Sequence, residues 1–436
     1  MPVFRSKGPV LGFLKAEQHK TSVPSEPAGQ MSAAAPFAPL IRHPWTLLFL
    51  LTLAMCINFF DRVGLSVSAP VLGPELHISA LSLGVLLSSF FWTYSICQIP
   101  SGWLVDRVEA RWAYAAAFAL WSLATFSMAF ARSFHGLLAL FLVLGICESF
   151  AYPMTSRIIA ISFPEEHRGV ANSLVDLGAR LGPAAGTLIG GLLITHIGWR
   201  GLLAACGIGG GLWVIPWLLV APPIRASAAR RADGTIGWKE LLSKRAVWAT
   251  VGGISGANYA WYFLLTWLPS YLVRARHLSL SGMATLGSVP YLCMAVSSVS
   301  GGFLSDYYIR RGRPAIAVRK AFLSVGLTLT ALLLPIILLP NIHAALAGLY
   351  LSCFGFGIYA SNLFALTQAL AGPRAAGRWT GVQNCFGNMA GIASAVCTGW
   401  LVQKTGTFTL PFLAATAACL FGAVSFWVFV RKDAVT

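Results

Sequence analysis

The stretch Gly102-Trp103-Leu104-Val105-Asp106-Arg107 ends one long apolar segment, and its punctuation returns in the second half of the chain as Gly302-Phe303-Leu304-Ser305-Asp306, followed by Arg310-Arg311-Gly312. Glycine at a helix end admits a neighbouring helix, while the acid faces a helix N-terminal dipole and arginines across a closing interface. A single short loop carries a stray acid and base often enough. Two matched copies, each after the second long apolar segment of its half, point to an internal duplication of the kind found in secondary transporters. Asp106 and Asp306 are therefore expected to act as gating latches. Gly102, Arg107 and Arg111 serve the first copy, and Gly302, Arg310 and Arg311 the second.

The duplicated unit is a membrane unit. Of 436 residues, 57% are hydrophobic and only 10% charged, against roughly 25% charged in soluble domains. That excess of apolar side chains must be solvated by lipid, which excludes a soluble globular protein, a coiled coil and a disordered chain. About twelve apolar stretches near bilayer length span 45–68, 80–104, 112–130, 135–158, 170–195, 200–220, 247–272, 283–305, 318–339, 344–370, 378–402 and 409–430. Helices are required, because an unclosed strand leaves backbone groups unpaired in lipid. The expected fold is an all-α membrane protein of twelve transmembrane helices, built as two pseudo-symmetric six-helix bundles.

The net charge of +17, from 31 basic and 14 acidic residues, does not indicate nucleic acid, because the basic residues are scattered through short gaps. One set of gaps holds Arg42, Arg107, Arg111, Arg157, the cluster within 221–246, Arg310, Arg311, Arg313 and Arg431, whereas the opposite set holds only Arg132, Arg200, Arg274, Arg276 and Lys404. The positive-inside rule then places both termini in the cytoplasm. The expected organisation is a cytosolic tail over 1–44, a first bundle over 45–220, a polar cytosolic linker over 221–246, a second bundle over 247–430 and a short cytosolic tail over 431–436. A secretory signal does not fit the N-terminus, and either Met1 or Met31 can serve as the start. The nine cysteines lie in apolar stretches without a CxxC and the eight histidines lie in loops, the N-terminal tail or at segment ends. They form no intramembrane metal site.

Ionisable residues inside the membrane are costly and usually functional. Here they are Asp61 and Arg62 in the first span, Glu148 in the fourth, and Asp176 and Arg180 in the fifth. Asp176 and Arg180 share a helix face at i,i+4 spacing. Asp61 and Arg62 read alternatively as an interfacial ion pair. Glu148 lies between Phe141 and Tyr152 with no neighbouring base.

The paired loops resemble those of the major facilitator superfamily, with Glu109 in place of that pattern's second glycine. Asn58-Phe-Phe-Asp61-Arg62, Trp92-Thr-Tyr94 with Gln98-Ile-Pro-Ser-Gly102, Gly145-Ile-Cys-Glu148 with Pro153, and Leu265-Thr-Trp267-Leu-Pro269-Ser-Tyr271 resemble its anion:cation symporter branch. That branch includes bacterial galactonate, hexuronate and phthalate permeases and animal sialic acid and vesicular glutamate transporters. The resemblance implies proton coupling at Asp61 and Glu148, a substrate carboxylate on Arg62, and a pocket lined by Tyr94, Asn258, Asn384 and Asn388. The three amides read equally as packing contacts between helices. Glu148, without a base beside it in sequence, is the expected proton carrier, and Asp61 next to Arg62 is expected to stay ionised longer.

Two departures stand out: Phe59 where the branch often has Tyr, and Phe141 where it often has Arg. Arg180, held by Asp176, is expected to replace the missing carboxylate ligand; equally, the two form a structural pair, or Phe59 and Phe141 signal a less charged, more aromatic substrate. A second signal, Gly178-x-x-x-Gly182-Pro183-x-x-Gly186, resembles the kinked fifth helix of drug/proton antiporters, although packing explains it equally. Trp261, Tyr262, Trp267 and Tyr271 read as pocket aromatics or as an interfacial belt, and their places near helix ends favour the belt. The leading expectation is a monomeric, proton-coupled symporter of a small organic anion, such as a sugar acid, working by alternating access in the cell (inner) membrane. It is not an enzyme and needs no cofactor beyond the coupling proton. The alternative is a proton-coupled antiporter exporting a drug-like compound or metabolite.

Overall fold

The computed structural model describes residues 44–105, 107–163, 165–223 and 237–430. Asp106, most of the linker and both expected tails lie outside the described residues. The described chain is helical throughout: α1 (Pro44–Glu75), α2 (Ala80–Val105), α3 (Ala110–Met128), α4 (Phe134–Glu148), α5 (Ala151–Ser162), α6 (Glu165–Ala185), α7 (Gly191–Val220), α8 (Trp238–Ser243), α9 (Arg245–Arg274), α10 (Leu280–Arg310), α11 (Ala315–Thr330), α12 (Leu333–Leu338), α13 (Ile342–Thr405) and α14 (Thr409–Val424). Among the described residues nine segments are long and apolar enough to cross a membrane by themselves.

Twelve crossings follow from where these runs break. α4 with α5, and α11 with α12, each make one crossing. α6 continues through a π-helical turn at Gly186–Gly190 into α7, as expected after Pro183, whose ring removes a backbone donor. Gly198 then turns the chain back with φ of +67°, a conformation that glycine adopts without steric cost. α13 contains two crossings. Thr367 Oγ1 donates to Gln383 Oε1 at 2.9 Å, although these residues would lie about 24 Å apart along one straight helix.

The halves repeat in conformation as well as in sequence. His77 and His277 are the two non-glycine residues with positive φ among those described, and each sits in the turn after the first helix of its half. Each is followed by the same cap: Ser79 Oγ accepts from Ser82 N at 3.1 Å and Ser279 Oγ from Gly282 N at 3.0 Å, satisfying an otherwise orphaned helix N-terminal donor. In the first half α1 packs on α6, α2 on α4, and α3 on α7; in the second, α9 and α10 pack on α13, and α14 on α9.

The halves meet through α2 with α13, α6 with α10, and α1 with α9. Close meetings among the described residues lie at the end remote from the chain termini. A Cβ at Gly84 would lie 2.5 Å from the Ala395 carbonyl oxygen, and one at Gly399 would lie 2.5 Å from that of Ala80. Leu81 N donates to Gln403 Oε1 at 3.0 Å beside them. A Cβ at Gly191 would likewise lie 2.6 Å from that of Ala284. This end is closed by backbone-to-backbone packing, which small residues permit.

Candidate functional site

Two of the charged residues of the first half, Arg62 and Glu148, meet near the middle of their crossings. Arg62 Nε donates to Glu148 Oε2 at 2.8 Å, with the two side chains 4% and 0% exposed. The guanidinium carbon lies 4.6 Å from the Phe59 ring centre, 4.6 Å from Phe90 and 4.5 Å from Tyr94. Such desolvated cation–π contacts contribute up to ~2 kcal/mol each. Phe141 packs on Phe90 at 5.7 Å, so an aromatic ring occupies the position at which the branch often carries a second arginine. Arg62 Nη2 and Glu148 Oε1 have no hydrogen-bond partner, which leaves both groups capacity for another ligand.

This pairing corrects the expectation that Glu148 lacks a base and that Asp61 is held by Arg62. Consecutive helix residues point about 100° apart. Arg62 therefore faces α4, whereas Asp61 turns into the first bundle, near Trp121 of α3 and Cys206 of α7. Asp61 is 3% exposed, and neither of its oxygens completes a hydrogen bond. Asn58, fully buried one turn earlier, lies beside Glu148. Tyr94 is not an open pocket wall: its ring is buried beneath Arg62 and stacked on Phe90.

Arg180 faces a different quarter. Its Nε is 3.5 Å from Asp176 Oδ2, its guanidinium lies 5.9 Å from the Trp261 ring of the second half, and its Nε has no hydrogen-bond partner. The glycines of the fifth crossing are occupied in packing: Cβ atoms at Gly178 and Gly182 would lie 2.3 and 2.5 Å from the carbonyl oxygens of Thr52 and Cys56 on α1.

From the second half, Tyr262 Oη donates to Asn388 Oδ1 at 2.7 Å, and the Tyr262 ring meets Phe91 across the divide at 4.4 Å. Asn384 is half-buried one turn earlier. Asn258 packs against Gly387, where a Cβ would come within 2.7 Å of its Nδ2. The expected aromatic belt is not formed: Trp261, Tyr262, Trp267 and Tyr271 are all buried. Trp261 stacks on Phe356 at 5.5 Å, and Trp267 Nε1 donates to the Ala395 carbonyl at 3.2 Å. Buried indole and phenol groups use protein carbonyls and amides where belt residues use headgroups.

At the terminal-bearing end the second latch has a partner that sequence reading missed. Asp306 accepts from Arg319 Nη2 at 2.9 Å, while Arg319 Nη1 donates to Asn362 at 3.2 Å. Arg310 and Arg311 are exposed, with Arg311 over the Tyr307 ring, and Gly302 lies near Ser361. Around the first latch, Arg111 donates to the Leu218 carbonyl, Arg157 to that of Val108 at 3.0 Å, and Arg107 is exposed. Arg157 was not singled out because one buried arginine at a helix end leaves no sequence pattern. Among the described residues, no cluster of His, Cys, Asp and Glu is arranged to hold a metal ion.

Residues 51–395 match the Major Facilitator Superfamily, and the chain belongs to it. It is a multi-pass membrane transporter and not an enzyme. The chain is 30% identical to the transporter YybO of Bacillus subtilis, over 89% of this chain and 94% of that protein. It is 28% identical to the probable galactarate/D-glucarate transporter GarP of Escherichia coli K12, over 89% and 95%. With the D-galactonate transporter of Escherichia coli O6:H1 it shares 27% identity over 89% and 96%. These relatives agree with the resemblance to the anion:cation symporter branch. In fold, the chain is similar to a bacterial homologue of the human lysosomal transporter Spinster in an inward-facing, occupied conformation, with a TM-score of 0.74 at 19% identity, covering 89% and 98% of the two chains.

Proposed function

We propose that this chain is a proton-coupled symporter that carries a small organic anion of the sugar-acid type into the cell by alternating access. The Arg62–Glu148 pair carries the proposal: a mid-membrane guanidinium, fixed by three aromatic rings, whose counter-charge comes from a side chain rather than from the backbone. A substrate carboxylate can take the place of Glu148 on Arg62 once Glu148 is protonated, so neither charge is left bare in the low-dielectric interior. Asp61 is the second proton site. A buried carboxylate without a counter-charge is costly when ionised, and a proton removes that charge. The relatives' names, galactarate/D-glucarate and D-galactonate transporters, supply the sugar-acid class.

With the basic gaps placed in the cytoplasm, the closed end is the external one. The cycle then runs as rocking of the two halves about the site. Outward opening separates the Gly84–Gly399 contact, protons and anion load, the external end closes, and release inward lets Glu148 return to Arg62.

The test is uptake of sugar acids and small carboxylates into proteoliposomes under an inward proton gradient. Accumulation that a protonophore and Arg62→Ala both abolish is the expected result. Extrusion of substrate against the proton gradient, with no acid accumulated, would overturn symport in favour of an antiporter.

A further inference from the structure

Charge at the external end is one-sided. With the basic gaps in the cytoplasm, that end holds Arg132, Arg200, Arg274, Arg276 and Lys404 against one acid, Glu75. Glu75 is already taken: it accepts from Trp199 Nε1 at 2.6 Å and from Arg200. Arg276 is likewise satisfied, by the Tyr271 hydroxyl at 2.6 Å and by the carbonyls of Leu339 and Ile336 at 2.9 and 2.7 Å. Arg132 and Lys404 are exposed, so water solvates them. Arg274 differs from all of these. It is half-buried, and among the described residues it forms neither an ion pair nor a hydrogen bond.

Arg274 lies on the seam between the halves. It is the last residue of α9, and its Nη2 stands so close to α1 that a Cβ at Gly73 would lie 2.8 Å from it. The C-terminal end of α1 offers this cation a favourable dipole, but the carbonyls of Leu72, Gly73 and Pro74 are already engaged by the N–H groups of Leu76, Ile78 and His77. The turn itself does not call for a cation. The matched pairs His77 with His277 and Ser79 with Ser279 align Pro74 with Arg274, and the first-half turn forms around Pro74 with the same left-handed histidine and the same serine cap. A guanidinium drawn partly out of water without a counter-charge costs free energy. No acid of the protein is free to supply that charge at this end, whereas an anion arriving from outside can.

We propose that Arg274 is an entry station on the external side, where the carboxylate of an incoming organic anion is held before it reaches Arg62. This rests on the organic-anion reading and adds to it a second, transient binding site. Separation of the halves at this end draws Gly73 away from Arg274 and opens the guanidinium to the mouth of the cleft, where the excess of positive charge concentrates anions. Closure returns it to the end of α1, so the station serves only while the cleft is open outward. No ion pair has to break for Arg274 to bind, in contrast to Arg62, which must first leave Glu148.

The experiment measures D-galactonate exchange in membrane vesicles preloaded with the same acid, for wild type, Arg274→Gln and Arg274→Lys. Right-side-out vesicles present the external face and inverted vesicles the cytoplasmic one. At low ionic strength Arg274→Gln is expected to raise the apparent KM at the external face about three- to tenfold, at the lower end of what charge steering supplies, with the maximal rate and the KM at the cytoplasmic face unmoved. Arg274→Lys should recover most of the wild-type KM, and the gap between wild type and Arg274→Gln should narrow in high salt. A purely structural arginine would instead change maximal rate or protein yield and leave the external KM as it is, which overturns the inference with organic-anion transport intact. Equal shifts at both faces, or a shift confined to the cytoplasmic face, would overturn it as well. Failure of the wild type to exchange D-galactonate or any other sugar acid would overturn the organic-anion reading and this inference with it.

Discussion

Arg62 and Glu148, 86 positions apart in sequence, are joined by a 2.8 Å ion pair that water does not reach, while Asp61, the immediate neighbour of Arg62, has no part in it. The pair ties the first crossing to the fourth at mid-depth. Removing one member leaves a buried charge without compensation, which typically costs 3–5 kcal/mol. Arg62→Ala is therefore expected to lose uptake and also to lower the thermal unfolding midpoint in detergent. Glu148→Gln keeps a hydrogen-bond acceptor for Arg62 and should retain anion exchange while losing proton-driven accumulation. Accumulation by Glu148→Gln equal to that of wild type would show that the proton is carried elsewhere.

Asp61→Asn provides the contrast. Its oxygens complete no hydrogen bond, so replacing the acid by an amide of equal size removes a buried charge without breaking a pair. Thermal stability should hold or increase by up to a few degrees, whereas coupled accumulation should fall. A marked drop in the unfolding midpoint would reveal a structural partner for this carboxyl.

Closure of the end remote from the termini depends on Gly84 and Gly399, where either Cβ would meet backbone at 2.5 Å. Backbone cannot give way as a flexible side chain does. Gly399→Val should hold the halves apart at that end, raising thiol-reagent access to a cysteine placed at the buried Ala395 and cutting uptake to below about a tenth. Unchanged access would mean that the two helices slide past each other to accommodate the valine.

Asp306 and Arg319 are paired at 2.9 Å, with the acid side chain 56% exposed. Such an exposed pair contributes under ~1 kcal/mol to stability, so Asp306→Asn and Arg319→Gln should leave the unfolding midpoint nearly unchanged. If the pair operates as a latch, each variant should slow transport and the double variant should be no slower than either. Additive slowing would assign the two residues separate tasks.

Tyr262 donates to Asn388 from the second half. Loss of one such hydrogen bond costs about 1 kcal/mol, so Tyr262→Phe should weaken apparent substrate affinity about fivefold if Asn388 is aimed by that hydroxyl. An unchanged apparent affinity would make the contact a packing device only.

How much of this was legible beforehand depended on the kind of signal. The fold was legible because each crossing is a local run of apolar residues, and the duplicated loops around Asp106 and Asp306 needed no contact information to be seen. The same duplication is written in His77-Ile78-Ser79 and His277-Leu278-Ser279, a signal that only their shared left-handed turn made conspicuous. The charged members of the site were legible because ionisable residues in an apolar run are rare. Their pairings were not. In sequence Glu148 has no base beside it and Asp61 adjoins Arg62, but adjacency along a helix is not adjacency in space. Arg319, which holds Asp306, carried no distinguishing local pattern.

That the chain lives in lipid, crosses repeatedly as helices, was built by duplication and carries charge at a few mid-depth residues is written in its local sequence. These properties follow from transfer free energies and from the obligation of backbone groups to pair locally in a bilayer, and both act residue by residue along the chain. Only the tertiary structure decided which way each helix is rotated about its axis. That rotation sends Arg62 to Glu148 and Asp61 into the bundle, turns Trp261 and Tyr262 inward from an expected belt, and brings Arg180 under the second half. The physical reason is that rotation is set by packing between helices, through contacts such as Gly178 and Gly182 against α1, and such contacts join residues far apart in the chain that no local pattern connects.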